Sequence, residues 1–285
     1  MHSTEQHSRN AGFTLIELSI VLVIIGLIVG GILTGQDMIR SAEIRSTMTQ
    51  IEGVSTAANT FRDKYNGLPG DLIAPKAAQF GLVARNGQVG RGDGNRFIEA
   101  CGQGVRDFAC EVGAFWSDLS RAGMVTGDYS LFADFSADTG VAADITGADM
   151  ARYLPEAELG QNNFVTVFSA GGRNYVQIAQ ITGITAAGAY TLGYGMTPQT
   201  AFNIDEKMDD GNPFRGNVMA TSDAATPGTF IADLADPIAD VVTADAAAPT
   251  APMCAGLQGA NMIYNTVTED DAAAMVCQIA IRTSF

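Results

Sequence analysis

Histidine is almost absent from this chain of 285 residues. The two histidines, His2 and His7, both lie close to the N-terminus, before the first apolar stretch. Serine–histidine and cysteine–histidine nucleophilic sites, and histidine-ligated zinc, all need an imidazole in the folded body. The sequence also contains neither a P-loop nor a GxSxG nucleophile elbow. We therefore predict no catalytic residue and expect a protein that is not an enzyme.

Basic residues are scarce as well. The chain has 16 lysines and arginines against 31 aspartates and glutamates, which gives a net charge of −15, and no basic residue occurs between Gly216 and Ile281. Binding to nucleic-acid phosphates requires clustered lysine and arginine, so nucleic acid is not expected as the main partner. The hydrophobic content of 47% with 16% charged residues is enough for a packed core and excludes a disordered chain.

One long apolar run stands near the N-terminus. Residues Phe13 to Leu33 contain a single ionisable residue, Glu17, and about 20 apolar residues suffice to span a membrane. A secretory signal peptide would have a shorter apolar core followed by small residues, whereas here the small residues Ala11 and Gly12 come first. A plain membrane anchor fits the length but not Glu17, because an unpaired carboxylate in a span costs about 2–3 kcal/mol. Glu17 therefore indicates a function beyond anchoring.

The segment GFTLIEL at residues 12–18 resembles the class III signal of type IV prepilins and type II secretion pseudopilins. The resemblance extends over about residues 9–40. It implies that a prepilin peptidase cuts between Gly12 and Phe13, that Phe13 is then N-methylated, and that Glu17 directs assembly. Glu17 would lie one helical turn from the new ammonium group and could pair with it, in the same or a neighbouring subunit. Thr34 stands where many pilins have a proline.

This family resemblance implies a structural subunit of a type IV pilus or pilin-like filament, polymerised through its N-terminal helix for adhesion, motility or secretion. A type II secretion pseudopilin is the alternative within the family. A non-polymerising, single-pass membrane-anchored binding protein is the alternative from another class. The implied partners are further copies of the chain, related pilins, the prepilin peptidase, an inner-membrane assembly machinery and, before assembly, lipid. The prepilin would lie in the bacterial inner membrane, and the assembled subunit in an extracellular pilus or a periplasmic pseudopilus.

The predicted fold is α+β, a pilin-like lollipop in which a long N-terminal helix packs on an antiparallel sheet. The chain divides into a leader at 1–12, a hydrophobic helix at 13–35, its amphipathic continuation at 36–64, and a head at 65–285 with loop insertions at about 73–100 and 221–252. Apolar residues recur at three- and four-residue steps in the continuation, which predicts a buried stripe: Ile44, Met48, Ile51, Ala58 and Phe61.

The head shows a few clear helix and strand patterns. A short helix is predicted over 112–122, with Trp116 as a core anchor. A second helix begins at the Thr197-Pro198 cap and runs to Gly211. Alternating β-branched and aromatic residues predict four strands, at 164–168, 175–181, 189–194 and 275–281. Gly171-Gly172 predicts a turn between the first two strands. The first three strands should form an antiparallel meander.

The four cysteines fall as two local pairs, Cys101 with Cys110 and Cys254 with Cys277. Since the resemblance places the head outside the cytoplasm, an even number predicts two disulfides. Spacing alone leaves the connectivity open, and buried free thiols are the alternative.

Acidic side chains crowd the end of the helix that begins at Thr197. Asp205, Asp209, Asp210 and Asn212 offer oxygens of the kind that calcium binds in sets of 6–8, and the family resemblance includes major pseudopilins, which bind calcium in a loop. The spacing is not that of an EF-hand. The alternative is an acidic helix end that faces solvent or a basic neighbour, although acids are unfavourable there. No cofactor other than this calcium is expected.

Overall fold

The structure, a computed structural model, describes residues 15–82, 90–100, 108, 110–129, 144–186, 188–193, 195–213, 215–221, 254–258, 261–264, 266 and 277–285. The predicted leader, with Gly12 and Phe13, lies outside the described residues, as does nearly all of the insertion predicted at 221–252. The chain forms two compact units, Met1–Glu43 and Ile44–Phe285.

Helix α1 runs without a break over Leu15–Tyr65, 51 residues, and confirms the predicted long helix. It continues through Thr34, which keeps the backbone N–H that a proline would lack and donates its hydroxyl to the Gly30 carbonyl at 3.1 Å. The helix ends where Asn66 adopts a left-handed φ of 54°, a common way for helices to stop.

The second half of α1 carries the buried stripe. Its buried side chains recur at helical spacing and all lie in the second compact unit: Ile44, Thr47, Ile51, Val54, Ala57, Ala58, Phe61 and Tyr65. Of the predicted stripe only Met48 is half-buried, and it too packs against the core. The same core cluster contains side chains from the strands, so this part of the helix packs with the sheet.

The sheet of the described residues has six antiparallel strands, grouped around the long strand β3. Their bounds are β1 Ile145–Thr146, β2 Asn163–Ala170, β3 Arg173–Ile184, β4 Tyr190–Gly193, β5 Val218–Thr221 and β8 Gln278–Arg282. The predicted meander is present, because β2 and β4 both pair with β3, and Gly171 and Gly172 form the first turn with positive φ. Strand β8 begins at Gln278, after the predicted start at 275, and lies between β3 and β5.

Side chains alternate between the two faces of this sheet, as the two-residue period requires. One face joins the main core with α1, through residues such as Val167, Val176 and Ile279. The opposite face carries a second, small cluster around Phe168 and Tyr175, whose rings stack at 5.3 Å. Both faces of the central strands are therefore buried.

Smaller elements complete the fold. Helix α2, Ala74–Gln79, lies within the segment predicted as a loop insertion, and six residues are too few to show a helical period. Helix α3, Glu111–Arg121, matches the predicted short helix, and its Trp116 is fully buried. Helix α4, Pro198–Met208, has the predicted cap, since the Thr200 N–H donates to Thr197 Oγ1 at 3.2 Å. A 3₁₀ helix at Gly147–Arg152 and the hairpin of β6, Ala255–Gln258, with β7, Asn261–Tyr264, were not predicted.

Candidate functional site

The first half of α1 is an apolar surface that the described residues leave exposed. Fourteen large aliphatic side chains between Leu15 and Leu33 are each at least 48% exposed. The helix is long and apolar enough to cross a membrane, and none of its most apolar window is buried. Burying a large aliphatic side chain is worth about 1.5–3 kcal/mol, so leaving all of these in water would cost roughly 20–40 kcal/mol. This surface requires lipid or other protein chains around it.

Glu17 lies in the first turn of α1, among these aliphatic residues. A carboxylate is electrostatically favourable near a helix N-terminus, where the unsatisfied N–H groups leave partial positive charge. Glu17 is exposed, like the aliphatic residues around it. The processing residues Gly12 and Phe13 lie just before the described part, so their geometry with Glu17 stays a prediction.

Four glycines interrupt the aliphatic surface, at Gly26, Gly30, Gly31 and Gly35. A Cβ added at any of them would meet no atom within 4 Å. Each glycine costs a helix about 1 kcal/mol relative to alanine, and no contact with a described residue requires it. The Gly26–Gly30 and Gly31–Gly35 spacings are those that allow close approach of neighbouring helices in membranes.

The acidic end of α4 brings together three of the four predicted calcium ligands, and Asn212 is not among them. Asp205, Asp209 and Asp210 each place a carboxylate oxygen within 4.8 Å of the others. The buried Asp205 accepts hydrogen bonds from Tyr264 Oη at 2.8 Å and from the Gly211 N–H at 3.3 Å, and burial raises its pKa to about 6.

The remaining acids of this end are tied into the following turn. Asp209 accepts from the backbone N–H groups of Asn217 and Val218, and Asp210 accepts from the Asn212 N–H at 2.8 Å. These bonds give the acids a structural role that needs no ion. Calcium binding stays a prediction, and a loss of thermal stability on chelation is the measurement that checks it.

A second group of acids, which the sequence analysis missed, also lies in the second compact unit. Carboxylate oxygens of Asp71, Asp93 and Glu111 all lie within 4.8 Å of one another, a spacing at which one cation could contact all three. Asp71 and Glu111 are almost fully buried, with 1% and 0% exposure. The only sequence sign of the group is that Asp71 follows the Pro69-Gly70 turn and Glu111 begins α3.

Asp71 and Glu111 hold the loop of residues 92–99 by its backbone. Glu111 accepts the N–H groups of Gly92 at 2.7 Å and Glu99 at 2.9 Å. Asp71 accepts those of Gly94 at 2.7 Å and Arg96 at 2.6 Å.

Burial dominates the ionisation of this pair. Desolvation, with the neighbouring acids, raises the pKa of Glu111 to about 9, and desolvation raises that of Asp71 to about 7. The group therefore carries less negative charge at neutral pH than three free acids would.

The cysteines are oxidised where the structure describes them. Cys254 and Cys277 form a disulfide with a Cα–Cα distance of 5.0 Å, which joins the start of the β6–β7 hairpin to the start of β8. Cys110 is also disulfide-bonded. Its predicted partner, Cys101, lies outside the described residues.

Comparison with known proteins identifies the N-terminal segment. Residues 7–33 match the family model of the prokaryotic N-terminal methylation motif, which confirms the resemblance to a prepilin signal. No curated protein and no solved structure matches the chain.

Proposed function

Because the chain carries the prokaryotic N-terminal methylation motif at residues 7–33, we propose that it is a structural subunit of a type IV pilus, cleaved after Gly12, methylated at Phe13 and polymerised through α1. The observation that carries this proposal is the exposed aliphatic surface of residues 15–33, which lies within the matched residues 7–33. In the membrane that surface is covered by lipid, and in the fibre by equivalent helices of other subunits.

Glu17 sets the alignment of the helices in this proposal. A carboxylate buried among aliphatic side chains is costly unless it is paired. Pairing with the Phe13 ammonium of the next subunit offsets that cost only in the correct register. The open glycine positions let the helices approach closely. Head-to-tail contacts of this kind do not close on themselves, so they produce a filament.

Mass spectrometry of the mature N-terminus tests the processing step. We expect residues 1–12 to be absent and Phe13 to carry one methyl group. A mature protein that retains its first twelve residues would contradict the proposal.

Substitution of Glu17 tests assembly separately from membrane insertion. We expect Glu17→Ala to abolish sheared surface fibres while the protein stays in the membrane fraction, because the aliphatic surface is intact. The matched control is Glu52→Ala, which removes an exposed carboxylate from the polar half of the same helix and should leave fibres unchanged. Fibres of wild-type abundance from Glu17→Ala would instead favour the alternative of a non-polymerising membrane-anchored binding protein.

The choice between a surface pilus and a secretion pseudopilus rests on the head. Its size and its insertions rich in glycine and alanine favour a surface pilus, serving adhesion or motility. Deletion of the gene should then remove surface fibres and leave secreted proteins unchanged. Loss of protein secretion without loss of surface fibres would assign the chain to the pseudopilus.

A further inference from the structure

The second compact unit contains an open cleft lined by cationic side chains. It has a volume of about 850 Å³ and lies beside the C-terminal end of α1. Its polar lining includes Arg62, Asp63, Asn66, Asp71, Lys76 and Arg96. Three of the chain's 16 basic residues thus meet at one cleft of a protein whose net charge is −15. Neither the filament proposal nor the methylation motif uses this cleft.

Arg96 is held at the cleft in an unusual backbone conformation. Its φ is 74°, a left-handed value that is unfavourable for a non-glycine residue. Two buried side chains fix it there: Asp71 accepts its N–H at 2.6 Å, and Asn174 Nδ2 donates to its carbonyl at 3.0 Å. Strained residues held in this way cluster at functional sites.

The guanidinium of Arg96 has no anionic partner among the described residues, and neither has that of Arg62 in the last turn of α1. Lys76 is partly engaged, because its Nζ donates to the Asn66 carbonyl at 2.8 Å. Asn66 also has a left-handed φ, of 54°. The cleft therefore presents two arginines ready for a ligand and a lysine fixed beside them.

Two acidic side chains also line the cleft, and among the described residues neither forms an ion pair with its arginines. Asp71 uses both carboxylate oxygens to accept the N–H groups of Gly94 and Arg96. Asp63 is exposed, where water screens its charge.

We propose that this cleft binds a small ligand through a carboxylate or phosphate group, with Arg62 and Arg96 as the contacting residues and Lys76 as a supporting positive charge. Arginine suits this role because its planar guanidinium donates two parallel hydrogen bonds to an oxyanion. The proposal does not rest on filament formation.

Calorimetric titration of the full chain, purified in a neutral detergent, tests the proposal. Inorganic phosphate and citrate are the two probes, each titrated at constant ionic strength, and they distinguish a phosphate from a carboxylate preference. We expect saturable binding of at least one. Arg62→Ala and Arg96→Gly should each weaken it about tenfold or more, since each variant removes charge-assisted hydrogen bonds to the ligand.

Matched variants separate ligand contact from folding. Glycine adopts the φ of residue 96 without strain, so Arg96→Gly should melt at or above the wild-type temperature. Arg96→Lys keeps the positive charge but loses the planar guanidinium that donates two parallel hydrogen bonds, so it should bind the probe with intermediate affinity. Arg173→Ala, which removes an exposed arginine outside the cleft, should bind like the wild type. Absence of saturable binding by the wild type, or equal affinity in a folded Arg96→Gly, would overturn the proposal.

Discussion

Two buried carboxyl groups, those of Asp71 and Glu111, hold the loop of residues 92–99 by its backbone. Each accepts two backbone N–H groups of that loop, so each satisfies donors that would be costly to bury alone. Asp71 thereby also fixes the backbone of Arg96 at the cleft. The carboxyl groups of Glu111 and Asp71 lie close together, and no ion pair with a basic side chain is formed by either of them among the described residues. Protonation of one carboxyl group is the simplest way to reduce the repulsion between them.

The raised pKa values predict how stability depends on pH. The folded protein keeps a proton on Glu111 up to about pH 9 and on Asp71 up to about pH 7, whereas the unfolded chain releases both near pH 4. The folded state thus binds more protons in this window, and the free energy of unfolding should fall as pH rises from 5.5 to 8.5, by at most about 1.4 kcal/mol per pH unit for each proton. Asp205 acts in the same direction up to about pH 6.

Denaturant unfolding of the full chain in detergent, at several pH values, measures this slope. A chelator is included so that no cation competes with protons for the carboxylates. Glu111→Gln should flatten the slope above pH 7, whereas Glu52→Gln, an exposed residue of α1, should not. A free energy of unfolding that stays level or rises between pH 5.5 and 8.5 would show that the two carboxyl groups are not protonated in the fold.

A site residue could be predicted from the sequence only where the residues next to it along the chain distinguish it. Glu17 stands out because it alone is charged within an aliphatic run. Asp71, Asp93 and Glu111 are separated by 22 and 18 positions, so only the folded chain brings them together. Asp93 follows Gly92 in a glycine-rich segment, where an acid is ordinary in a turn, and nothing local distinguishes it from a solvated residue.

At the scale of elements, α3 is fixed against the turn that follows α1 by a very close backbone approach. Gly70 has a φ of 85°, and its N–H donates to Asp118 Oδ2 at 2.8 Å. A Cβ at Gly70 would lie 2.4 Å from the carbonyl oxygen of Glu111, closer than any real contact. The first turn of α3 can pack here only because residue 70 has no side chain.

Substitution of Gly70 by alanine tests how much the fold depends on this close contact with α3. Gly70→Ala should reduce the free energy of unfolding by roughly 2–5 kcal/mol, the sum of a left-handed alanine and a forced shift of α3. Gly81→Ala is the matched control, because its φ is 67° but an added Cβ meets no atom within 4 Å. It should cost only about 1–2 kcal/mol. Equal losses in the two variants would mean that the contact with α3 contributes nothing.

Helices and strands could be predicted from the sequence where they are long and where turn residues mark their ends. Helix α1 and the β2–β3 hairpin were predictable, because one has many turns of consistent spacing and the other alternates on both sides of Gly171-Gly172. Helix α2 has six residues, and strands β6 and β7 have four each. These elements are too short for a helical or a strand period to be recognised in the sequence. The place of β8 beside β3 is a long-range pairing, and no local pattern encodes it.

At the scale of the whole molecule, burial changes abruptly along α1. Every buried residue of this helix lies at or after Ile44, the first residue of the second compact unit. The large aliphatic residues from Leu15 to Leu33 are exposed, so they contribute nothing to the core of the head. The exposed apolar surface and the buried stripe of the head therefore occupy different parts of one helix.

Removal of residues 1–35 should consequently yield a head that folds without detergent. We expect the fragment 36–285 to be a soluble monomer with a thermal midpoint close to that of the full chain, because it retains the whole buried stripe and the Cys254–Cys277 disulfide. Circular dichroism melts and light scattering are the measurements. A fragment shortened further, to 52–285, loses Ile44, Thr47 and Ile51 and should unfold at a clearly lower temperature, since burying each large aliphatic side chain contributes about 1.5–3 kcal/mol. If the 36–285 fragment aggregated while the full chain stayed folded in detergent, the exposed half of α1 would have to stabilise the head.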